Sequence, residues 1–180
     1  MNQKKNKHYQ QTHQKIKDTL LEIIYEKKKV NIAQICRHAG INRTTFYQHY
    51  EDIVELIEDV QSSIFKQLIK TYDNEPEKIE FMSFRSYEIF ALHVKENQHF
   101  YKLYFEMNTT FPLKDGLEEM WEAIIVPYFH DRGIYDEEVM ALRFICYQAG
   151  FTITLKKWVD QNCHLKIQEV AQILTECLRM

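Results

Sequence analysis

The stretch that decides the fold runs from Val30 to Tyr50 and reads VNIAQICRHAGINRTTFYQHY. Its first half repeats apolar residues at the helical spacing i, i+3, i+4, i+7, namely Ile32, Ile35, Cys36 and Ala39. Gly40 then supplies a residue that adopts a positive φ easily, as a sharp helix end requires. Asn42 is suited to cap a following helix, because its side-chain oxygen accepts a backbone N–H of the first turn. The pattern predicts two short helices joined by a tight turn.

The second of these helices, from Arg43 to Tyr50, has two different sides. Phe46 and Tyr50 stand four residues apart and are expected to anchor it in a core. The other side carries hydrogen-bonding groups, which are Arg43, Thr44, Tyr47 and Gln48. Two short helices with a polar outer side on the second are typical of a helix-turn-helix, which inserts its second helix into the major groove of DNA.

At these positions the chain resembles the TetR family of bacterial transcriptional repressors (TetR/AcrR type). The family pattern runs roughly as Ile-Ala in the second helix, then Ala-Gly-Val-Ser, then a short helix that ends Phe-Tyr-x-His-Phe. This chain has Ile32-Ala33, Ala39-Gly40-Ile41-Asn42 and Phe46-Tyr47-Gln48-His49-Tyr50. The match covers about the first third of the chain. It implies a transcriptional regulator, a repressor that an effector bound in the C-terminal domain releases from a palindromic operator.

The resemblance also implies roles for individual residues. Base edges or adjacent phosphates are expected to be contacted by Arg43, Thr44 and Tyr47, and Arg43 is suited to a bidentate hydrogen bond to guanine. The sugar-phosphate backbone is expected to be contacted by Lys29, Thr45 and His49. The chain departs from the family at Ile53, where a phosphate-contacting Lys is common. Glu51 and Asp52 make this spot acidic, which puts one backbone contact in doubt.

Composition predicts an all-α protein of about nine helices. The 180 residues include only four Gly and three Pro, which is few for a β-rich fold. The net charge of −3 hides an asymmetry, because residues 1–50 carry 10 Lys+Arg against 3 Asp+Glu, whereas residues 51–180 carry 13 against 23. A basic end joined to an acidic body indicates that the basic end meets a polyanion such as DNA.

The chain is expected to form two domains. Residues 1–52 form a three-helix helix-turn-helix DNA-binding domain, whose first helix runs from about Thr12 to Lys28. A flexible basic N-terminus precedes it, and its lysines at 4, 5 and 7 either reach DNA or only aid solubility. Residues 53–180 form a helical regulatory and dimerisation domain. Its long first helix, from Asp52 to about Tyr72, belongs to both halves and is the expected lever between them.

Aromatic residues recur in the second domain, within helices expected at about 77–96, 98–107, 117–131, 136–161 and 164–178. By architecture, the resemblance implies a pocket there for a small hydrophobic or aromatic effector, lined by Phe84, Tyr87, Phe100, Tyr104, Trp121, Tyr128, Phe144, Tyr147 and Gln148. Aromatic residues at helical spacing are also what a plain core contains. Both interpretations stay open at this point.

The helix expected at 136–161 is apolar on more than one face, which indicates burial on more than one side. A partner subunit would provide the second cover. The resemblance implies a homodimer, formed by a four-helix bundle of the last two helices of each subunit. We expect its interface to contain Phe151, Leu155, Trp158, Val170, Leu174 and Leu178.

Several other classes of function find no support in the sequence. It lacks the motifs G-x-S-x-G and H-E-x-x-H and a Gly-rich phosphate loop, so we expect no enzyme and no cofactor. His93, Glu96 and His99 form the only tempting metal cluster, and solvated surface residues explain them better. The four cysteines are expected to be reduced and mostly buried, with Cys163 as a redox-sensing alternative.

No apolar run is long enough for a membrane span and no signal peptide is evident, so we expect a cytoplasmic protein without a membrane partner. The expected partners are double-stranded DNA with a near-palindromic operator, a second copy of the chain and the effector. The alternative is a TetR-like co-activator or adaptor controlled by a protein partner rather than by a small ligand.

Overall fold

The computed structural model describes residues 2–26, 28–107 and 121–178. Over these ranges the chain is all-α, as predicted, with nine α-helices, one π-helical turn and no strand. The chain divides into two compact units, Met1–Phe65 and Lys66–Met180. The expected boundary after residue 52 differs from this division, which falls inside a helix.

The first unit contains three helices and the beginning of a fourth. Helix α1 spans Asn2–Tyr25, α2 spans Ile32–Ala39, α3 spans Arg43–Tyr47, and α4, Ile53–Asp73, continues into the second unit. The core consists of apolar side chains from all four helices, with 0% exposure at Ile16, Leu20, Ile23, Ile35, Ala39, Phe46 and Leu56.

The N-terminus differs from the sequence prediction. Helix α1 begins at Asn2 rather than near Thr12, so the expected flexible arm is part of the helix. It ends at Tyr25, three residues before the expected end at Lys28. The added turns contain neither Gly nor Pro and consist mainly of Lys, Gln and Asn, none of which breaks a helix. Tyr9 also packs its ring on His49, at 4.1 Å between ring centroids, which ties this part of α1 to the end of α3.

Helix α4 explains why the first unit reaches beyond residue 52. Asp52 caps the helix, since its Oδ1 accepts the N–H of Val54 at 2.7 Å and of Glu55 at 3.0 Å. Apolar residues that recur at helical spacing along α4 are buried, namely Leu56, Ile57, Val60, Ile64 and Leu68. The first three turns of the helix therefore complete the core of the first unit.

The second unit consists of the end of α4 and five further helices. They are α5 (Phe84–Glu96), α6 (Gln98–Met107), α7 (Val126–His130), preceded by the π-helical turn Trp121–Ile125, α8 (Glu137–Asp160) and α9 (Ile167–Cys177). Helix α9 packs along α5, and α6 packs along α8. Within the described ranges, no helix is both long and apolar enough to cross a membrane.

Two helices of the second unit differ in detail from the prediction. The helix expected from about residue 77 begins only at Phe84, because Ser83 caps it by accepting the N–H of Ser86 and Met82 has a φ of 65°. Of the helix expected at 117–131, residues 117–120 lie outside the described ranges. Its remainder passes through a π-helical turn, as fits Pro127, which has no N–H to donate to the preceding turn.

The caps of α3 give a first prediction. Asn42→Ala should lower the free energy of unfolding of the first unit by about 1 kcal/mol, because an orphan N–H of the first turn loses its acceptor. Trp121 and Trp158 are the only two tryptophans. Both lie in the second unit, so tryptophan fluorescence during urea unfolding reports on that unit, whereas far-UV circular dichroism reports on both. Comparing the two signals separates the unfolding of the two units. Asn42→Ser keeps a side-chain acceptor, so its free energy of unfolding should match that of wild type. A wild-type free energy of unfolding in Asn42→Ala would contradict the prediction.

Candidate nucleic-acid interface

The turn between α2 and α3 is built by side-chain and backbone caps. Asn31 caps α2 through the N–H of Gln34 at 2.9 Å, and Asn42 caps α3 through the N–H of Thr45 at 2.7 Å. Gly40 ends α2 in the left-handed region with φ of 62°, and the N–H of Ile41 closes on the Cys36 carbonyl at 3.0 Å. These contacts form the tight helix–turn–helix that the sequence predicts.

Helix α3 is anchored by one side chain and leaves several polar ones exposed. Phe46 is fully buried, and Tyr47, whose ring packs edge-on against it at 5.6 Å, is 55% exposed. Arg43 and Thr44 are exposed as well. Three of the residues predicted to bind DNA therefore form an accessible surface on α3. Thr45 and His49 are half-buried, whereas Lys29 is exposed in the connection between α1 and α2.

A polar network behind α3 was not predicted from the sequence. It joins α1, the end of α3 and α4, and we call it the Asp59 cluster; its members are Tyr9, His13, Lys17, His49, Tyr50, Asp59 and Ser63. Its hydrogen bond from Lys17 to Ser63 joins residues that are 46 positions apart in the chain. A sequence signal exists only on α1, where Tyr9, His13 and Lys17 recur every fourth residue beside the apolar stripe.

Asp59 is the centre of the cluster: its carboxylate accepts hydrogen bonds from Lys17 and Tyr50 and has His13 as a third close neighbour. Lys17 Nζ lies 2.9 Å from Asp59 Oδ1 and 2.6 Å from Ser63 Oγ, with Lys17 only 8% exposed. The Tyr50 hydroxyl donates to Asp59 Oδ2 at 2.7 Å, and His13 Nε2 lies 2.9 Å from the same oxygen. His13 Nε2 also lies 3.2 Å from the Tyr50 hydroxyl.

The cluster fixes the protonation of two of its members. Burial raises the pKa of Asp59, but the hydrogen bonds from Lys17 and Tyr50 outweigh it and leave that pKa below its ordinary value. Burial, followed by the hydrogen bond to Asp59, raises the pKa of Tyr50 far above its ordinary value. Asp59 is therefore a carboxylate and Tyr50 a neutral hydroxyl donor at neutral pH.

His49 closes the cluster on the side of α3. Its ring stacks on Tyr9 at 4.1 Å and lies 5.7 Å from the His13 ring. Burial, and then the charge of His13, lowers the pKa of His49. The Nδ1 atoms of both histidines are buried without a hydrogen-bond partner. If His49 contacts the DNA backbone as predicted, it does so as a neutral hydrogen-bonding group at neutral pH.

The second unit holds most of the residues predicted to line a ligand pocket, and the structure shows where each lies. Tyr87, Phe100, Tyr104, Tyr128, Phe144 and Tyr147 are buried, Trp121 and Gln148 are half-buried, and Phe84 is exposed at 37%. Ring contacts connect α5 with α8, for example Tyr87 with Phe151 at 6.1 Å. Phe81, which precedes α5, contacts both Tyr128 of α7, at 5.3 Å, and Tyr147 of α8, at 5.7 Å. Phe84, at the exposed first turn of α5, does not belong to this buried set.

Two buried polar groups lie in the same unit. His93 Nε2 and Thr152 Oγ1 have no hydrogen-bond partner among the residues that the structure describes, and burial lowers the pKa of His93 to about 4. His93 is thus a neutral imidazole at physiological pH. Within the described ranges, no group of three His, Cys, Asp or Glu side chains is placed to hold a metal ion.

Most of the residues predicted to form the dimer interface are instead buried within the single chain. Phe151, Leu155, Trp158, Val170 and Leu174 are all buried, with at most 8% exposure, and only Leu178 is half-buried. The assignment of these five is wrong, because their side chains form the core of the second unit. The other face of α8 is the open one, with exposures of 58% at Leu142, 52% at Ile145 and 59% at Ile153.

The cysteines are distributed differently from the prediction. Cys36 and Cys163 are buried, and Cys146 and Cys177 are exposed. Cys146 belongs to the open face of α8, which is why its apolar spacing misled the prediction of burial. Burial raises the pKa of Cys163, so this thiol lacks the exposed thiolate character of a redox sensor.

Comparison with known proteins adds no further information: the chain matches no protein-family model and has no significant similarity to a curated protein.

The lowered pKa of His49 gives a second prediction. The unfolded chain, whose histidines titrate near pH 6.5, binds the proton more readily than the folded protein, so stability falls as pH drops below about 6.5. His49→Gln removes this contribution and should show a smaller fall in Tm between about pH 7.5 and about pH 5.5. The exposed His130, in the second unit, offers the control His130→Gln, which should retain the wild-type fall. Equal falls in His49→Gln and wild type would contradict the prediction.

Proposed function

We propose that the chain is a DNA-binding transcriptional regulator of the TetR type, acting in the cytoplasm as a homodimer. The observation that carries the proposal is the capped turn between α2 and α3 together with the exposure of Arg43, Thr44 and Tyr47 on α3. A short helix held from behind by Phe46 and open on its polar side has the form of a recognition helix. The charge of the first 50 residues, +7, favours a polyanionic partner.

The open face of α8 supports the homodimer. Leu142, Ile145 and Ile153 are each more than half exposed, and Cys146 and Ala149 continue the same stripe at spacings of three and four. The opposite face of α8 is buried in its own unit, so the helix is apolar on both sides and covered on one. A second copy of α8 would cover the other side, and two recognition helices would then meet a near-palindromic operator.

The proposed mode of action is repression relieved by an effector in the second unit. The buried aromatic set of α5, α7 and α8, with the unpaired His93 Nε2 and Thr152 Oγ1, supports a small hydrophobic or aromatic effector that carries a hydrogen-bonding group. An effector that prefers one arrangement of the dimer would shift the population away from the state that binds DNA.

One observation favours a second candidate, an adaptor controlled by a protein partner. Glu51 and Asp52 are exposed immediately before α4, beside Ile53, where the family that the chain resembles commonly has a phosphate-contacting lysine. Salt dependence separates the candidates, because DNA affinity falls steeply with salt whereas apolar protein contacts do not. Selection of duplexes from a random library by the purified protein tests DNA binding directly. Enrichment of an inverted repeat would support the regulator. If the folded, dimeric protein enriched no duplex, the result would favour the adaptor.

Removing the guanidinium of Arg43 gives a third prediction. Arg43→Ala should weaken binding to the selected duplex by about 1–3 kcal/mol and relax the base preference at one position of each half-site. Arg143, exposed on α8, offers a control of equal charge change, and Arg143→Ala should bind as wild type does. Fluorescence anisotropy with matched and single-substituted duplexes measures both effects. Wild-type affinity and base preference in Arg43→Ala would refute its role in reading DNA.

The open face of α8 gives a fourth prediction. Leu142→Glu should shift the protein from dimer to monomer, because it places a charge among apolar side chains that association would desolvate. Leu92, on α5, is also an exposed leucine, at 43% against 58% for Leu142. Leu92→Glu is therefore a matched control and should remain dimeric. Sedimentation velocity distinguishes the species, and a dimeric Leu142→Glu would exclude this face as the interface.

A further inference from the structure

Tyr50 is the point at which α3 is tied to the rest of the first unit. It follows α3 by three residues, and its backbone N–H bonds to the Phe46 carbonyl at 3.1 Å. Its ring lies between Phe46, at 6.0 Å, and the parallel ring of His13, at 5.0 Å. Its hydroxyl reaches Asp59 on α4. The family pattern that the chain resembles ends in Phe at this position, so the hydroxyl is a feature of this chain.

Among the residues that the structure describes, Asp59 is the only hydrogen-bond acceptor that joins α1, α4 and the segment that follows α3. One oxygen, Oδ2, is shared by Tyr50 and His13, and the other is held by Lys17 from α1. The hydrogen bonds that Lys17 and Tyr50 donate to this carboxylate are strong and directional, because the acceptor is charged. A five-residue helix such as α3 has too few backbone bonds to fix its own orientation. Its orientation depends on Phe46 in the core and on this bond at its end.

We propose that Asp59 is a positioning residue for DNA recognition, which sets the angle of α3 through the Tyr50 hydroxyl. This inference rests on the proposed function and deepens it by naming the contact that connects α4 to the recognition surface. Asp59 is half-buried behind α3 and is not expected to touch DNA. It acts on binding through the placement of Arg43, Thr44 and Tyr47, which must meet base edges within a few tenths of an ångström.

The effect of positioning differs from the effect of charge. A misplaced α3 loses base contacts but keeps its basic surroundings, so affinity for the selected duplex falls while affinity for unrelated duplexes does not. Tyr50→Phe removes only the hydroxyl and retains the buried ring, so the variant is expected to fold. It should lower the ratio of specific to non-specific affinity about tenfold, a free-energy difference of about 1.4 kcal/mol.

Tyr72 supplies a matched control. Its hydroxyl donates to the Ser86 carbonyl at 2.7 Å in the second unit, so Tyr72→Phe also removes one buried tyrosine hydrogen bond. If the Tyr50 hydroxyl had a purely structural role, the two variants would lose similar amounts of Tm. Both would then keep the wild-type ratio of specific to non-specific affinity. The positioning role predicts that only Tyr50→Phe changes the ratio.

The decisive experiment measures the affinity for the selected duplex and for an unrelated duplex by fluorescence anisotropy, at a temperature where every variant is folded. It compares wild type with Tyr50→Phe, Asp59→Asn, the double variant and Tyr72→Phe. If Tyr50 acts through Asp59, the double variant should lose no more specificity than either single one. Hydrogen exchange without DNA should show faster exchange of the Gln48, His49 and Tyr50 amides in Tyr50→Phe, with α2 unchanged.

The outcomes are distinguishable. A wild-type protein that selects no duplex overturns the proposed function and this inference together. A wild-type protein that selects a duplex, with an equal affinity ratio in Tyr50→Phe, overturns only the positioning role of Asp59. Additive losses in the double variant likewise overturn the role of Asp59 as the partner through which Tyr50 acts.

Discussion

The burial of Phe46 is the contact on which the candidate DNA-binding surface depends. Helix α3 is only five residues long, and helices of this length are not stable by themselves in water. Full burial of a phenylalanine contributes about 1.5–3 kcal/mol, which exceeds what one end cap contributes. Once Phe46 is in the core, the opposite side of α3 has to face solvent. The exposure of Thr44 and Gln48, which lie opposite Phe46, is therefore a consequence of packing.

The parts of the fold that the sequence predicts correctly are those set by local chemistry. Asn42 caps α3 and Gly40 turns the chain because each needs only its neighbours, and both were read from the sequence. The start of α5 was placed wrongly because Phe81 and Phe84 repeat at helical spacing, whereas the positive φ of Met82 and the Ser83 cap interrupt the helix between them. Spacing alone does not report such an interruption.

The faces of α8 show a second limit of sequence reasoning. Its apolar residues occupy two sides, and the pattern predicts correctly that both are suited to burial. Periodicity contains no information about which side its own chain covers, and the structure covers the side with Phe151 and Leu155. The Asp59 cluster shows a third limit. Its hydrogen bonds join residues 9 to 46 positions apart, and a lone histidine or lysine on α1 gives no sign of such partners.

Helix α4 takes part in one tyrosine hydrogen bond in each of the two units. In the first unit Asp59 on α4 accepts from Tyr50, and in the second unit Tyr72 on α4 donates to the Ser86 carbonyl of α5. Thirteen residues of continuous helix separate Asp59 from Tyr72, which is about 20 Å at the helical rise. A helix transmits axial and rotational displacement over this length, because its backbone hydrogen bonds resist local deformation. A ligand that displaced α5 against α4 would act on Tyr72 directly.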